Sequence, residues 1–133
     1  MRGFLDANVV LRYLTGEPIE LALRARQIID TEVELVLTDG TLAEVAYVLM
    51  QRYGVARAVA VDSLITFVRK RNVSIWRIDK DTILQALHLC RPSGRVSVAD
   101  AMLWAAVRST ADTIIYSFDQ HFPSDGISVR QDL

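Results

Sequence analysis

Short apolar runs alternate with longer amphipathic stretches from one end of this sequence to the other, and no other feature limits its fold so sharply. Parallel strands cannot be joined by a tight turn. Each needs a crossover of roughly a dozen residues, normally a helix, and the alternation supplies one after most apolar runs. Residues 2–5 read as a first strand. A short helix over 8–14 stops at Gly16, and Pro18 suits the first turn of a second helix to about residue 30. Residues 34–37 make the second strand. Thr38, Asp39 and Thr41 are N-cap candidates for a helix to about residue 52, Gly54 is its stop, and 55–69 form a fourth helix. Residues 73–78 alternate as a third strand, Asp79 caps a helix to about residue 89, and Pro92, Ser93 and Gly94 form a loop. Ser97 opens a strongly apolar helix to about residue 109, and 113–116 and 127–129 complete the strands. The expected fold class is α/β, a three-layer αβα sandwich around a central, mostly parallel sheet.

With 133 residues the chain suits one domain, 1–133, large enough to bury roughly two thirds of its unfolded surface. Its 51% hydrophobic and 23% charged residues, without low-complexity tracts, exclude the disordered and fibrous classes. The longest apolar run, 101–107, is far shorter than the ~20 residues a membrane helix needs, and with no signal-peptide pattern the expected location is the cytoplasm. The lone Cys90 excludes an intrachain disulfide and a thiolate zinc site, and its apolar helix suggests a buried, inert thiol. Fifteen basic against sixteen acidic residues give a net charge of -1, so nothing global marks a nucleic-acid binder. The basic set is nearly all arginine, however, with only Lys70 and Lys80 as lysines, and arginine is the better fork for phosphate.

The chemistry lies in four acids. Asp6 ends the first strand and Asp119 follows the fourth, on the edge where open α/β sheets bind ligands. Glu44 and Asp100 fall in the early turns of helices able to face the same rim. Four carboxylates converging on one spot repel unless a divalent cation neutralises them, and an all-oxygen set suits Mg²⁺ or Mn²⁺. Such a cation polarises a phosphodiester and activates water, so hydrolysis needs no histidine or serine nucleophile. Taken singly, each acid has a plainer reading. "TLAE" (41–44) and "SVAD" (97–100) both satisfy the capping-box pattern, Asp6 suits an N-cap, and Asp119 suits a turn. Those readings leave "FLDAN" unexplained, where a strand runs straight into an acid and a carboxamide, and "YSFD", where another strand ends in the same chemistry.

"FLDANVVLRYL", "TLAEVAYVL", "SVADAMLWAAV" and "YSFDQHF" resemble, in order and context, the four acidic motifs of the PIN-domain ribonucleases, and at this length the VapC-type toxins of toxin–antitoxin pairs. The resemblance covers essentially the whole chain and implies a PIN-like fold. It also implies that Asp6, Glu44, Asp100 and Asp119 are the catalytic cluster, with Asp6, Asp100 and Asp119 on a Mg²⁺ or Mn²⁺ ion. Asn8 and Ser117 match the accessory polar positions beside the first and last acids, which hold carboxylates or water in place. The implied activity is metal-dependent endoribonuclease, with RNA as substrate. A VapB-type antitoxin and a second copy in a homodimer are the implied partners. "LTDGTLAE" departs from the family wording by an extra acid, Asp39, which suits an N-cap and stands outside the core site.

Two other functions compete. In a haloacid-dehalogenase-like phosphatase a nucleophilic aspartate also ends a first strand, but a second aspartate stands where this chain has Asn8, and no suitably placed lysine is present. A PIN-type binding module without catalysis would be expected to have gaps in the acid set. Elsewhere the plain readings dominate. His88 and Cys90 fall on different helix faces, His121 suits a surface turn, 69–71 suits a solvated helix end, and Met102 and Trp104 suit the core. The helix over 55–69 and the one containing Asp100 carry more apolar faces than one buried stripe needs, a pattern expected of a dimer or a partner groove.

Overall fold

The computed structural model describes residues 1–31, 33–111 and 113–133. Strands β1 (Arg2–Phe4), β2 (Glu34–Leu37) and β3 (Val73–Ile75) lie side by side in that order, all parallel. Two helices follow each strand: α1 (Ala7–Thr15) and α2 (Ile19–Ile29), then α3 (Asp39–Gln51) and α4 (Arg57–Val68), then α5 (Lys80–Cys90) and α6 (Val98–Arg108). A second parallel ladder pairs β4 (Ile114–Tyr116) with β5 (Ser128–Arg130). The α/β class expected from the alternation is what the chain adopts. Its parallel strands form two ladders, and among the described residues no strand pairing joins them.

Register decides which residues are buried. Gly3 pairs with Leu35 and Leu35 with Val73, while Leu37 pairs with Ile75, so Leu35, Leu37, Val73 and Ile75 share one sheet face and are all buried. Against the core α1 brings Val10 and Leu11, α3 brings Leu42, Val45 and Leu49, and α6 brings Ala101, Met102 and Trp104. Helix α3 is central, packing on α1, α4 and α6, while α5 packs on α4 and α6. Trp104 meets its one polar requirement by donating its indole N–H to the Asp125 carbonyl at 3.0 Å. No polar or charged side chain among the described residues is buried, so the interior is wholly apolar.

Several boundaries differ from the sequence expectation for local reasons. The third strand stops at Ile75 because Trp76 donates its N–H to Leu37 and Arg77 then turns to φ +62°. The fourth helix starts at Arg57, since the Val55 N–H is used on the Leu49 carbonyl, closing the end of α3 beside Gly54 at φ +64°. Pro18 stands one residue earlier than expected, at the N-cap of α2. Thr38 is the working cap of α3, its Oγ1 accepting from the Thr41 N–H at 3.1 Å, whereas Asp79 occupies the N-cap of α5 without a side-chain capping bond.

The apolar excess expected of the fourth and sixth helices is largely consumed inside the chain. α4 buries Val61, Leu64, Ile65, Phe67 and Val68, with Val59 exposed, and α6 is buried on most sides, with Leu103 exposed. The unpartnered apolar surface lies on α2, where Ile19, Leu21, Leu23 and Ile28 are all exposed.

Candidate active site at the carboxyl edge of the strands

All strands of a parallel ladder present their carboxyl ends on one edge. Phe4 pairs with Val36, and the ladder continues through the Leu5 N–H to the Val36 carbonyl at 3.0 Å, so Asp6 leaves β1 beside the point where Thr38 and Asp39 leave β2. Asp6 is exposed, and its Oδ1 accepts from the Ala7 N–H at 2.7 Å. That is the first amide of α1, whereas an ordinary N-cap side chain reaches the second or third. Asn8 is exposed one residue further on.

Glu44 lies in the second turn of α3 and is exposed. Because Thr38, three residues earlier than Thr41, caps this helix, "TLAE" is not a capping box, and the plain reading of Glu44 loses its basis. Asp100 keeps half of the capping pattern: its N–H donates to Ser97 Oγ at 3.0 Å, and its half-buried carboxylate remains outside that bond. The direction of α6 places this acid. The far end of the helix, at Arg108, touches Gly126 ahead of β5, where an added Cβ would meet Arg108 Nε at 2.8 Å. An eleven-residue helix spans about 16 Å. Asp100 is therefore carried from the amino edge towards the carboxyl edge.

Asp119 stands in a turn just past β4. Its N–H donates to Ser117 Oγ at 3.1 Å, its Oδ1 accepts from the His121 N–H at 2.8 Å, and its carbonyl accepts from the Phe122 N–H at 3.2 Å. Ser117 in turn donates its N–H to the Arg130 carbonyl of β5 at 3.0 Å. The turn is tied to the loop before α6 by Arg95 Nη2, 3.1 Å from His121 Nδ1.

The ion pairs among the described residues are Lys70–Asp30 and Arg91–Asp62, and neither includes an acid of this edge. The donor set is all oxygen, without thiol or imidazole, which is the chemistry a hard divalent cation takes. The side chains are not drawn into a closed cage: among the described residues no three histidine, cysteine, aspartate or glutamate side chains are grouped to hold one ion. Cys90 plays no part, buried in α5 with its thiol pushed up to about 11 by burial, while His88 is exposed.

Aromatic residues that the acid motifs did not flag stand at the carboxyl ends of strands in both ladders. Phe4 ends β1 at 57% exposure, Trp76 follows β3 at 38%, Tyr116 ends β4, and Phe118 stands beside Asp119 at 86%. The signal was present in "GFLD", "SIWR" and "YSFD", each with an aromatic at or next to the end of a strand and a charge within three residues.

A parallel α/β fold with an acid just past the carboxyl end of a strand, Asp6 after β1 and Asp119 after β4, belongs to the class of domain that binds ligands at the carboxyl ends of its strands. The chain belongs to the PIN domain family, whose model matches residues 3–124, from β1 through the turn that holds Asp119. PIN domains are generally metal-dependent nucleases. No curated protein and no solved structure gives a match. No helix among the described residues is long and apolar enough to cross a membrane.

Proposed function

We propose that this chain is a cytoplasmic endoribonuclease that hydrolyses RNA phosphodiester bonds with Mg²⁺ or Mn²⁺, and that it is the VapC-type toxin of a toxin–antitoxin pair. The observation carrying the nuclease reading is the carboxyl edge, where acids outside the ion pairs of the described residues stand on a fold of the PIN family. Asp6, Asp100 and Asp119 would hold the cation, and Glu44 completes the catalytic set. When bound, the cation stabilises charge on the scissile phosphate and activates the attacking water. Glu44 would take the proton the attacking water loses as its oxygen bonds to phosphorus, and the leaving strand's oxygen would take a proton from solvent as the P–O bond breaks. Asn8 offers a carboxamide to phosphate or water, and Ser117 fixes the backbone that carries Asp119.

The toxin reading is supported by the unpartnered surface of α2. A groove of about 270 Å³ between α1 and α2 is lined by Asn8, Arg12, Leu21, Arg24 and Ile28 and opens beside Asn8. An amphipathic segment of a VapB-type antitoxin lies in that groove and sends an arginine or lysine towards the acids, competing with the cation. The toxin is a homodimer. Purified chain should cleave RNA with Mg²⁺ or Mn²⁺ and stop when chelator is added; undiminished cleavage in excess chelator overturns the metal mechanism. Titration with the small protein encoded beside it, and sizing of the free chain, test the rest. A monomer indifferent to that protein removes the toxin reading and leaves the nuclease one standing.

A further inference from the structure

β1 and β3 are separated by β2, about 9.6 Å apart across two strand spacings. Yet the rings of Phe4 and Trp76 meet edge to face, with centroids 5.4 Å apart and planes at 66°. The contact has to cross over β2, on the face opposite the core, and it explains why Val36 beneath is only 1% exposed while its neighbours Phe4 and Trp76 stay open to solvent. Arg77 lies over the indole, its guanidinium carbon 5.0 Å from the ring centroid. Its φ of +62° is a backbone that L side chains rarely adopt, so the turn holds this arginine where glycine would fit without strain. Arg77 belongs to neither ion pair of the described residues. A second aromatic and arginine stand together on the other ladder, where Tyr116 pairs in register with Arg130.

We propose that Phe4, Trp76 and Arg77 form a stacking platform for an unpaired base of the RNA substrate, beside Asp6, with Arg77 meeting the adjacent phosphate. The inference rests on the nuclease reading for its substrate and extends it to single-stranded RNA. Charge complementarity selects this occupant. A base stacks on an aromatic face whatever its sequence, and a cation held next to that face matches the phosphate of the same nucleotide. A duplex keeps its bases stacked on one another and offers the rings nothing.

The test is binding in excess chelator, so that cleavage does not intervene, with a twelve-nucleotide single-stranded RNA and the duplex of the same sequence as probes. Trp104 is buried, so quenching of the exposed Trp76 fluorescence reports stacking directly. The single strand should quench and bind, the duplex should bind weakly, and Trp76→Ala should lower single-strand affinity about tenfold, with Trp76→Phe restoring part of it. Arg77→Gly suits the left-handed turn, so it should melt near the parent temperature while the log–log salt dependence of binding becomes shallower by about 0.7. Equal affinity for duplex and single strand, or wild-type binding by folded Trp76→Ala and Arg77→Gly, overturns the platform. So does a change of oligomeric state in those variants with RNA affinity intact, which would make the patch a protein contact. Because binding is read without metal, a chain that binds through Trp76 and cleaves nothing refutes the nuclease reading alone. A chain that cleaves but ignores Trp76 refutes the platform alone.

Discussion

The Asp6 carboxylate accepts one hydrogen bond among the described residues, from the amide that immediately follows it, and Glu44 stands in the second turn of a helix capped by another residue. Neither arrangement makes the fold depend on the charge. Asparagine is as good at an N-cap as aspartate, and Asp100 contributes at most about 1 kcal/mol to the start of α6 through the helix dipole. Asp6→Asn and Asp100→Asn should therefore melt within a few degrees of the parent while RNA cleavage falls at least about a hundredfold, as loss of a group carrying several kcal/mol of barrier stabilisation demands. Circular dichroism melts alongside a cleavage assay check this. Unfolded variants with proportionate residual activity would make the acids structural. At this scale the sequence was readable where an acid interrupts a strand, as in "FLDAN" and "YSFD". It was less readable for Glu44, because the residue that removes its capping role is Thr38, outside the four-letter pattern.

Helices here are started and tied by few groups. Thr38 Oγ1 accepts from the Thr41 amide at the head of α3, so Thr38→Ala should cost about 1 kcal/mol in urea denaturation, while Glu44→Gln should cost nothing measurable yet remove cleavage. The ends of α2 and α4 meet at Asp30, which accepts from the Tyr13 hydroxyl at 2.8 Å and pairs with Lys70 at 3.0 Å. The Tyr13 hydrogen bond first, and then Lys70, hold the Asp30 carboxyl below its ordinary range, and Asp30 in turn raises Lys70. The carboxylate's contribution is complete above the unfolded value of about 4 and is lost as pH falls through the lower folded value. The stability gap between the parent and Asp30→Asn should stay constant from about pH 5 to 8, below about 1 kcal/mol for so exposed a pair, and close in acid. The basic segment 69–71, read from sequence as a solvated helix end, therefore includes a tie between helices. That tie joins residues forty positions apart, which no local pattern displays. Strand β2 was legible to its last residue because turn residues bound it on both sides. Strand β3 was overrun because apolar Trp76 and Ile78 follow it directly, and only the backbone of Arg77 ends it.

The molecule as a whole separates its interior from its rim. Trp104, fully enclosed between α6 and the turn at Asp125, is the largest side chain in the core, and Trp104→Ala should cost about 3–5 kcal/mol by chemical denaturation, far more than any edge substitution. The fold class was legible because the alternation of apolar runs reports crossovers directly. The division of the strands into two ladders was not, since nothing in either sequence marks whether β1 and β4 pair. An interior without a single charged side chain among the described residues has a genetic consequence. A mutation that deletes one edge acid leaves the folding equilibrium nearly where it was, so the product is not unfolded and cleared as a destabilised chain would be. Such an allele loses the activity and keeps the protein, at normal abundance and with its surfaces intact. In a cell carrying both forms, the inert chain is expected to compete with the active one for whatever those surfaces bind.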